Sequence, residues 1–223
     1  MKIAFLTTIF PMDEQYLFDF FNSLDNQTYK KFDIIIVNDG YLGLTQLKQQ
    51  YSHLNILEIC SASSIAKNRE YGINYVIDKG YDILIFGDSD DYFEKNRIEK
   101  SLEFLKEYDI VVNDVSLFNE GGVYEKKYFS HRLKNLEVIN FEFIKDKNIF
   151  GMTNTAIKLK NIEKVSFDYM LIAVDWVFFQ TLLNQGLKAL FTNETISYYR
   201  QYCNNTVGLC VHNDFHYFWW EKK

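Results

Sequence analysis

The sequence predicts an α/β fold with a mostly parallel central sheet flanked by helices. Short apolar runs recur along the first half, helical stripes of apolar residues lie between them, and polar or acidic residues follow several of the runs. Alternating strands and helices require crossover connections, which place the strands parallel in one sheet. Because the 223 residues include one proline and no glycine- or serine-rich run, we expect a single domain, residues 1–223, without a flexible linker.

The elements of the first half follow from the spacing of apolar residues. Continuous apolar runs predict buried strands at residues 3–9, 33–37, 55–60, 82–86 and 110–112. Helices are expected between these strands, at residues 17–24, 44–51, 64–80 and 98–105. The third of these helices can be capped by Ser63 or Ser64 and ends at Gly80.

The second half of the chain is less regular. A turn at Gly121-Gly122 precedes a predicted strand at 123–129, and residues 195–202 predict a last strand. Between them, Trp176, Phe179 and Leu183 form a helical stripe that ends at Gly186. We therefore expect a parallel α/β half, about 1–115, followed by a smaller mixed half, about 116–223.

The composition excludes several classes of protein. A net charge of −6 at pH 7 disfavours nucleic-acid binding, because an acidic surface repels phosphates. The three cysteines, Cys60, Cys203 and Cys210, have no CxxC spacing, which argues against a disulfide framework and a zinc knuckle. Free thiols are typical of the reducing cytosol, so we expect a cytoplasmic protein.

Any membrane association is expected to be peripheral. Asp13 and Glu14 interrupt the N-terminal apolar run before a signal peptide is complete, and no stretch reaches the ~20 apolar residues of a spanning helix. Residues 215–223 are rich in aromatic side chains and end in two lysines. This composition suits contact with the inner face of a membrane, packing onto the domain, or contact with a second subunit in a homo-oligomer.

Polar residues follow three of the predicted strands. These residues are Thr7-Thr8, Asn38-Asp39 and the run Asp88-Ser89-Asp90-Asp91. Ligands of parallel α/β sheets bind beyond the carboxyl ends of the strands. We therefore expect the three groups to face one crevice.

The run from Asp88 to Asp91 predicts a divalent metal site. Mg²⁺ and Mn²⁺ prefer carboxylate oxygens, and a cation that bridges two phosphates neutralises the charge developing on a nucleotide diphosphate leaving group. In isolation, such a run would more often be a loop whose aspartates cap the helix starting near Asn96. Its position directly after a buried strand favours the metal site.

Several motifs together resemble family 2 of the inverting glycosyltransferases, which have the GT-A fold. In the first half they are Thr7-Thr8, Gln27-Thr28-Tyr29, residues 35–40, Ala66-Lys67-Asn68-Arg69 and residues 86–91. In the second half, Val174-Asp175-Trp176 and Tyr199-Arg200-Gln201-Tyr202 resemble the acceptor-binding half of bacterial members that build surface polysaccharides. The resemblance runs from about residue 2 to residue 208.

The resemblance implies transfer of a sugar from a nucleotide-diphosphate sugar, with UDP as the expected nucleotide, to a hydroxyl of a glycan or lipid-linked acceptor. It makes 1–115 the nucleotide-sugar-binding half and 116–223 the acceptor-binding half. Asp175 would be the general base, which a weakly nucleophilic sugar hydroxyl requires. Asp88 and Asp90 would bind Mn²⁺ or Mg²⁺. The residues implied in nucleotide-sugar binding are Thr8, Ile9, Asp39, Lys67, Asn68 and Asp88.

The sequence departs from the family pattern at a few positions. Phe10 stands where the family often has asparagine, and Thr7 where it often has proline. Tyr202 replaces the histidine that commonly follows Tyr-Arg-Gln. His212 and His216, spaced i and i+4, could face one ligand, although two surface histidines explain that spacing equally simply.

Three other functions are weighed against the transferase. A nucleotidyltransferase needs a glycine-rich, basic loop after the first strand, and residues 7–13 contain neither glycine nor a basic residue. A receiver-like signalling domain needs an acidic pair at the same place, and that pair is missing. A degenerate, non-catalytic nucleotide-sugar-binding module stays open because of Tyr202, although the aspartates at positions 88, 90 and 175 favour an enzyme.

Overall fold

The computed structural model describes residues 1–202, which form one ten-stranded mixed sheet flanked by helices. The strand order is β3-β2-β1-β4-β9-β6-β10-β5, with β7 paired to β6 and β8 paired to β10. The expectations for residues 203–223, including Cys203, Cys210, His212 and His216, lie outside the described residues. Within residues 1–202, none of the helices combines the length and apolar character needed to cross a bilayer.

The first half has the predicted parallel order. Its elements are β1 (Ile3–Ile9), α1 (Glu14–Asp25), β2 (Asp33–Asn38), α2 (Leu44–Gln50), β3 (Ile56–Cys60), α3 (Ile65–Asp78) and β4 (Ile83–Phe86). Strands β3, β2, β1 and β4 are mutually parallel, so their carboxyl ends meet at one edge of the sheet. Asp13 caps α1 by accepting from the Gln15 N–H, and Ser64 caps α3, as predicted.

The second half adds antiparallel strands to this core. Its elements are β5 (Tyr92–Phe93), α4 (Arg97–Phe104), β6 (Ile110–Asn119), β7 (Gly122–Glu125), β8 (Glu137–Ile139), α5 (Phe141–Ile144), β9 (Thr155–Lys158), α6 (Val174–Asn184) and β10 (Ala189–Arg200). Strand β9 runs antiparallel to β4 and β6, and β6 runs parallel to β10. Strands β5, β8 and β9, which have two to four residues each, were not predicted.

The strand predicted at 123–129 is wrong beyond residue 125. A 3₁₀ turn spans Tyr128–His131, because the buried carboxylate of Asp114 accepts hydrogen bonds from the N–H groups of Phe129 (2.8 Å) and Ser130 (3.2 Å) and from the Ser130 hydroxyl (2.6 Å). A side chain from β6 therefore takes the backbone donors that a strand would use. Two predicted strands were also too short: β6 continues to Asn119, and β10 begins at Ala189.

Apolar side chains on both faces of the sheet form the core. Along β1, Ala4 and Leu6 belong to one buried cluster, whereas Ile3 and Phe5 belong to the other. Helices α3 and α6 cover the first cluster, and helices α1 and α4 cover the second. A sheet buried on both faces explains why the strands are continuous apolar runs.

Candidate active site

A cavity of about 470 Å³ opens at the carboxyl ends of β1, β2 and β4. Six of the eight predicted site residues line it: Thr8, Asp39, Asn68, Asp88, Asp90 and Asp175. A larger depression of about 1160 Å³ lies at the opposite edge of the sheet and contains none of the eight. The cavity at the carboxyl ends is therefore the candidate site, as the strand order requires.

Asp39 is held in place by a buried asparagine. The Asn68 side chain is 1% exposed, and its amide donates a hydrogen bond of 2.8 Å to Oδ2 of Asp39. The Asn68 carbonyl accepts in turn from the hydroxyl of Ser61 (2.8 Å). The Asp39 N–H donates to the backbone carbonyl of Ile9 (2.7 Å), so the loops after β1 and β2 are tied together.

Asp88 lies beside the one basic side chain that lines the cavity among the described residues. The guanidinium of Arg69 is 3.4 Å from Oδ1 of Asp88, and both side chains are partly open to the cavity. Burial raises the pKa of Asp88, while the positive charges of Arg69 and Arg97 oppose that rise. Arg69 was not among the predicted site residues.

The loop of residues 88–91 is held by hydrogen bonds to Thr8 and to Arg200. The Ser89 hydroxyl donates to the backbone carbonyl of Thr8 (2.8 Å). On the other side, the Arg200 N–H donates to the fully buried carboxylate of Asp91 (2.7 Å), and Nε of Arg200 donates to the backbone carbonyl of Asp90 (2.7 Å). Asp91 is therefore a structural carboxylate, and Asp88 and Asp90 are the two that face the cavity.

Asp90 is a partly buried carboxylate with a raised pKa and a hydrogen bond from Tyr202. Burial and the neighbouring Asp88 raise the pKa of Asp90 to about 6. The hydroxyl of Tyr202 donates to Oδ2 of Asp90 (3.0 Å), and the Tyr202 ring lies 5.8 Å from that of Tyr16. Tyr202, the residue that departs from the family pattern, thus contacts the aspartate that the resemblance assigns to the metal.

Asp175 lies in the first turn of α6 and lines the same cavity, near Arg69 and Asp88. Its side chain is 7% exposed, and its Oδ1 accepts from the N–H of Trp176 (2.8 Å). Burial raises the pKa of Asp175 to about 6, and nearby Arg69 limits the rise. A carboxylate with this pKa can accept a proton near neutral pH.

Two predicted site residues do not reach the cavity. The Ile9 side chain is fully buried in the core beneath α1. The ammonium of Lys67 is 2.7 Å from the carboxylate of Glu70, and Glu70 also accepts from the N–H of Phe167 (2.6 Å). The basic group that the sequence analysis expected from Lys67 is instead supplied by Arg69, which follows Asn68 on α3.

A seven-residue loop between α5 and β9 forms a further part of the cavity wall. Residues 148–154 all line the cavity, and none of them is ionisable. Asn154 is 1% exposed and fastens this 148–154 loop: its amide donates to the carbonyls of Asn113 (2.8 Å) and Ile149 (3.1 Å), and its carbonyl accepts from the N–H of Gly151 (2.8 Å). This loop is not among the predicted site elements, although the spacing of Asn148, Gly151 and Asn154 is typical of a specific turn.

The carboxylates of the cavity fit a hard divalent cation with an incomplete set of protein ligands. Among residues 1–202, no cluster of three or more His, Cys, Asp or Glu side chains could hold a metal alone. Mg²⁺ is commonly held by one or two carboxylates together with substrate phosphates and water. If a divalent cation binds in this cavity, Asp88 and Asp90 are the carboxylates that would hold it, together with the phosphates of a nucleotide.

Comparison with known proteins identifies similar sequences. Residues 8–165 match the family model described as Glycosyl transferase family 2. The chain is 25% identical over 221 residues to the glycosyltransferase GlyA of Streptococcus pneumoniae serotype 4, covering 89% of this chain and 30% of GlyA. It is 24% identical over 203 residues to TuaG of Bacillus subtilis strain 168, a glycosyltransferase named for teichuronic acid biosynthesis, covering 86% of this chain and 76% of TuaG.

Solved structures share the fold. S. aureus TarS 1-349 in complex with UDP-GlcNAc superposes with a TM-score of 0.72 at 18% identity, covering 92% of this chain and 60% of the TarS chain. GalNAc-T7 with UDP, GalNAc and Mn²⁺ gives a TM-score of 0.68 at 12% identity, covering 91% of this chain and 44% of the other. The match to TarS confirms the GT-A fold predicted from the sequence.

Proposed function

The chain belongs to glycosyl transferase family 2, and from that premise we propose an inverting, metal-dependent transfer of a sugar from a UDP-sugar to a hydroxyl group. The acceptor is a glycan or lipid-linked glycan, and the pathway is bacterial polysaccharide biosynthesis. The names of GlyA and TuaG, both glycosyltransferases, support this class of reaction, and the UDP-GlcNAc complex of TarS supports the donor nucleotide.

The observation that carries the proposal is the pairing of two kinds of carboxylate in one cavity. Asp88 and Asp90 follow strand β4, and Asp175, on α6, lines the same cavity. A glycosyl transfer needs both: a site for the leaving diphosphate and a base for the acceptor. The raised pKa of Asp175, about 6, suits the second role.

Separate residues of the cavity bind the donor and remove the proton of the acceptor. Asp39, oriented by Asn68, accepts the N3–H of uracil. Thr8 and Asn68 line the nucleotide end of the cavity, and Arg69 lies next to Asp88, where the diphosphate is expected. Asp175 takes the proton of the acceptor hydroxyl as that oxygen attacks the anomeric carbon. Because attack comes from the face opposite the leaving group, the anomeric configuration inverts.

A divalent cation held by Asp88 and Asp90 would stabilise the negative charge of the departing UDP when bound. In this assignment, residues 1–115 form the nucleotide-sugar-binding half, which contains the two proposed metal ligands, Asp88 and Asp90. Residues 116–223 form the acceptor half, which contains Asp175.

Donor screening tests the proposal. The protein is incubated with UDP-sugars and Mn²⁺, release of UDP is measured, and the anomeric configuration of the product is determined by NMR. We expect inversion, and we expect Asp175→Asn to reduce turnover by about 10²–10⁴-fold with little change in donor binding.

Asp168→Asn is the matched control, since it makes the same chemical change in an exposed carboxylate seven residues before Asp175 and outside the cavity lining. Retention of configuration, or near-normal turnover of Asp175→Asn, would remove Asp175 from the mechanism. Metal-dependent UDP binding without any turnover would instead favour the degenerate binding module.

A further inference from the structure

The charges that line the cavity have a consequence for the donor sugar. Four carboxylates line it, those of Asp39, Asp88, Asp90 and Asp175. Among the described residues, the lining contains a single Arg, Lys or His, which is Arg69, and its guanidinium already lies 3.4 Å from Asp88. The described lining therefore has no unpaired positive charge to offer a second anionic group on the donor.

The uncharged part of the described lining supplies no positive charge either. All seven residues of the 148–154 loop are uncharged, and the other uncharged residues of the lining are aliphatic, aromatic or hydroxyl-bearing side chains together with Asn68. The hydroxyl of Tyr202 donates a hydrogen bond to Asp90, and a phenol carries no positive charge. A carboxylate on the sugar would lose its hydration here without gaining an ion pair, which is unfavourable.

Resting on the proposed function, we propose that the donor sugar is electrically neutral, a hexose or N-acetylhexosamine, and that hexuronates are excluded. The diphosphate and the divalent cation largely neutralise each other, and Arg69 offsets the charge of Asp88. The other three aspartates leave the described lining of the cavity with an excess of negative charge. A hexuronate differs from the corresponding hexose by a carboxylate in place of the C6 hydroxymethyl group. The cavity discriminates between them by repulsion and by the lack of a counter-charge.

Two matched pairs of donors test this proposal without the need for an acceptor. Binding of UDP, UDP-glucose, UDP-glucuronate, UDP-galactose and UDP-galacturonate is measured by calorimetry with Mn²⁺ at pH 8. In at least one pair the uronate is expected to bind at least about tenfold more weakly than its hexose, the effect of one unpaired buried polar group. A hexose that binds no better than its uronate in both pairs overturns the proposal.

Two variants separate charge from shape. Asp175→Asn removes one negative charge from the lining, and the binding of the uronate relative to its hexose should rise several-fold. Glu107→Gln removes an exposed charge that precedes β6, at the opposite edge of the sheet, and should leave the ratio unchanged. A ratio that Asp175→Asn leaves unaltered would overturn the electrostatic cause. Failure of UDP itself to bind would instead refute the proposed function.

Discussion

The hydroxyl of Tyr202 donates a hydrogen bond of 3.0 Å to Oδ2 of Asp90, so a neutral phenol contacts the carboxylate proposed to hold the metal. The family commonly has histidine at this position, and an imidazole nitrogen is a better ligand for Mn²⁺ than a phenol hydroxyl. The Tyr202 ring also lies against Tyr16, with centroids 5.8 Å apart, which fixes its position over Asp90.

We expect Tyr202→His to strengthen the Mn²⁺-dependent binding of UDP, because the ring would add a nitrogen ligand next to Asp90. Mn²⁺ titrations in the presence of UDP, followed by calorimetry, measure the effect. Tyr202→Phe is the control, since it keeps the aromatic ring but has no donor or ligand atom. If the histidine and phenylalanine variants bind Mn²⁺ equally, position 202 does not contact the metal.

The preference for uracil over other nucleobases in the donor should depend on Asp39. A carboxylate accepts the N3–H of uracil, whereas the unprotonated N3 of cytosine would face it with a lone pair. Asp39→Ala should weaken UDP binding by about 2–3 kcal/mol, the loss of a hydrogen bond to a charged group. Asp39→Asn should narrow the preference for UDP over CDP, because an amide can donate to cytosine. Equal affinities of wild type and Asp39→Ala for UDP would show that the uracil ring binds elsewhere.

Most of the donor half could be predicted from the sequence because its elements are local and regular. Strands buried on both faces are continuous apolar runs, and their order fixes which loops meet, so Asp39, Asp88 and Asp90 were brought together correctly in one cavity. The direction of a side chain on a helix is harder to predict. On α3, Asn68 is buried against Asp39, Lys67 pairs with Glu70, and Arg69 lines the cavity.

The second half was predicted less well because long-range contacts determine it. The 3₁₀ turn after β7 exists because Asp114, at least fourteen residues earlier, accepts its backbone donors. The 148–154 loop depends on Asn154 reaching Asn113, 41 residues away. Neither of these long-range contacts produces a periodic pattern in the sequence.

The stability of the protein should depend on pH through Asp175. Burial raises its folded-state pKa to about 6, above the ordinary value of an aspartate, so the folded state binds a proton more tightly than the unfolded state. For a raised acid pKa, the free energy of unfolding falls as the pH rises from about 4 to about 6. Asp175→Asn should therefore gain stability relative to wild type across this range, by about 2–3 kcal/mol at pH 7.

Denaturant unfolding at pH 4, 5, 6 and 7 measures this difference. Asp168→Asn, which changes an exposed carboxylate, should show no such pH-dependent gain. The rate of transfer should rise over the same interval, because only ionised Asp175 can accept a proton. A constant difference between wild type and Asp175→Asn at all four pH values would mean that the folded-state pKa of Asp175 is not raised.

The 148–154 loop should affect recognition of the sugar more than recognition of the nucleotide. Asn154 holds this loop through three hydrogen bonds of 2.8–3.1 Å, whereas Asp39 follows β2 and Asn68 lies on α3. Asn154→Ala should lower the free energy of unfolding by about 1–3 kcal/mol, because its buried partners lose a hydrogen bond. It should also reduce the extra affinity of the preferred UDP-sugar over UDP while leaving the affinity for UDP nearly unchanged.

Calorimetric titration of the Asn154→Ala variant with UDP and with the UDP-sugar of highest turnover separates the two effects. Asn55→Ala is the control, because it removes an exposed asparagine that is hydrogen-bonded to Asp33 (2.6 Å) outside the cavity. A loop that only stabilises the fold would lower both affinities in the same proportion. A loop that forms the sugar-binding wall lowers the affinity for the UDP-sugar alone, because the nucleotide is bound by residues that the substitution does not move.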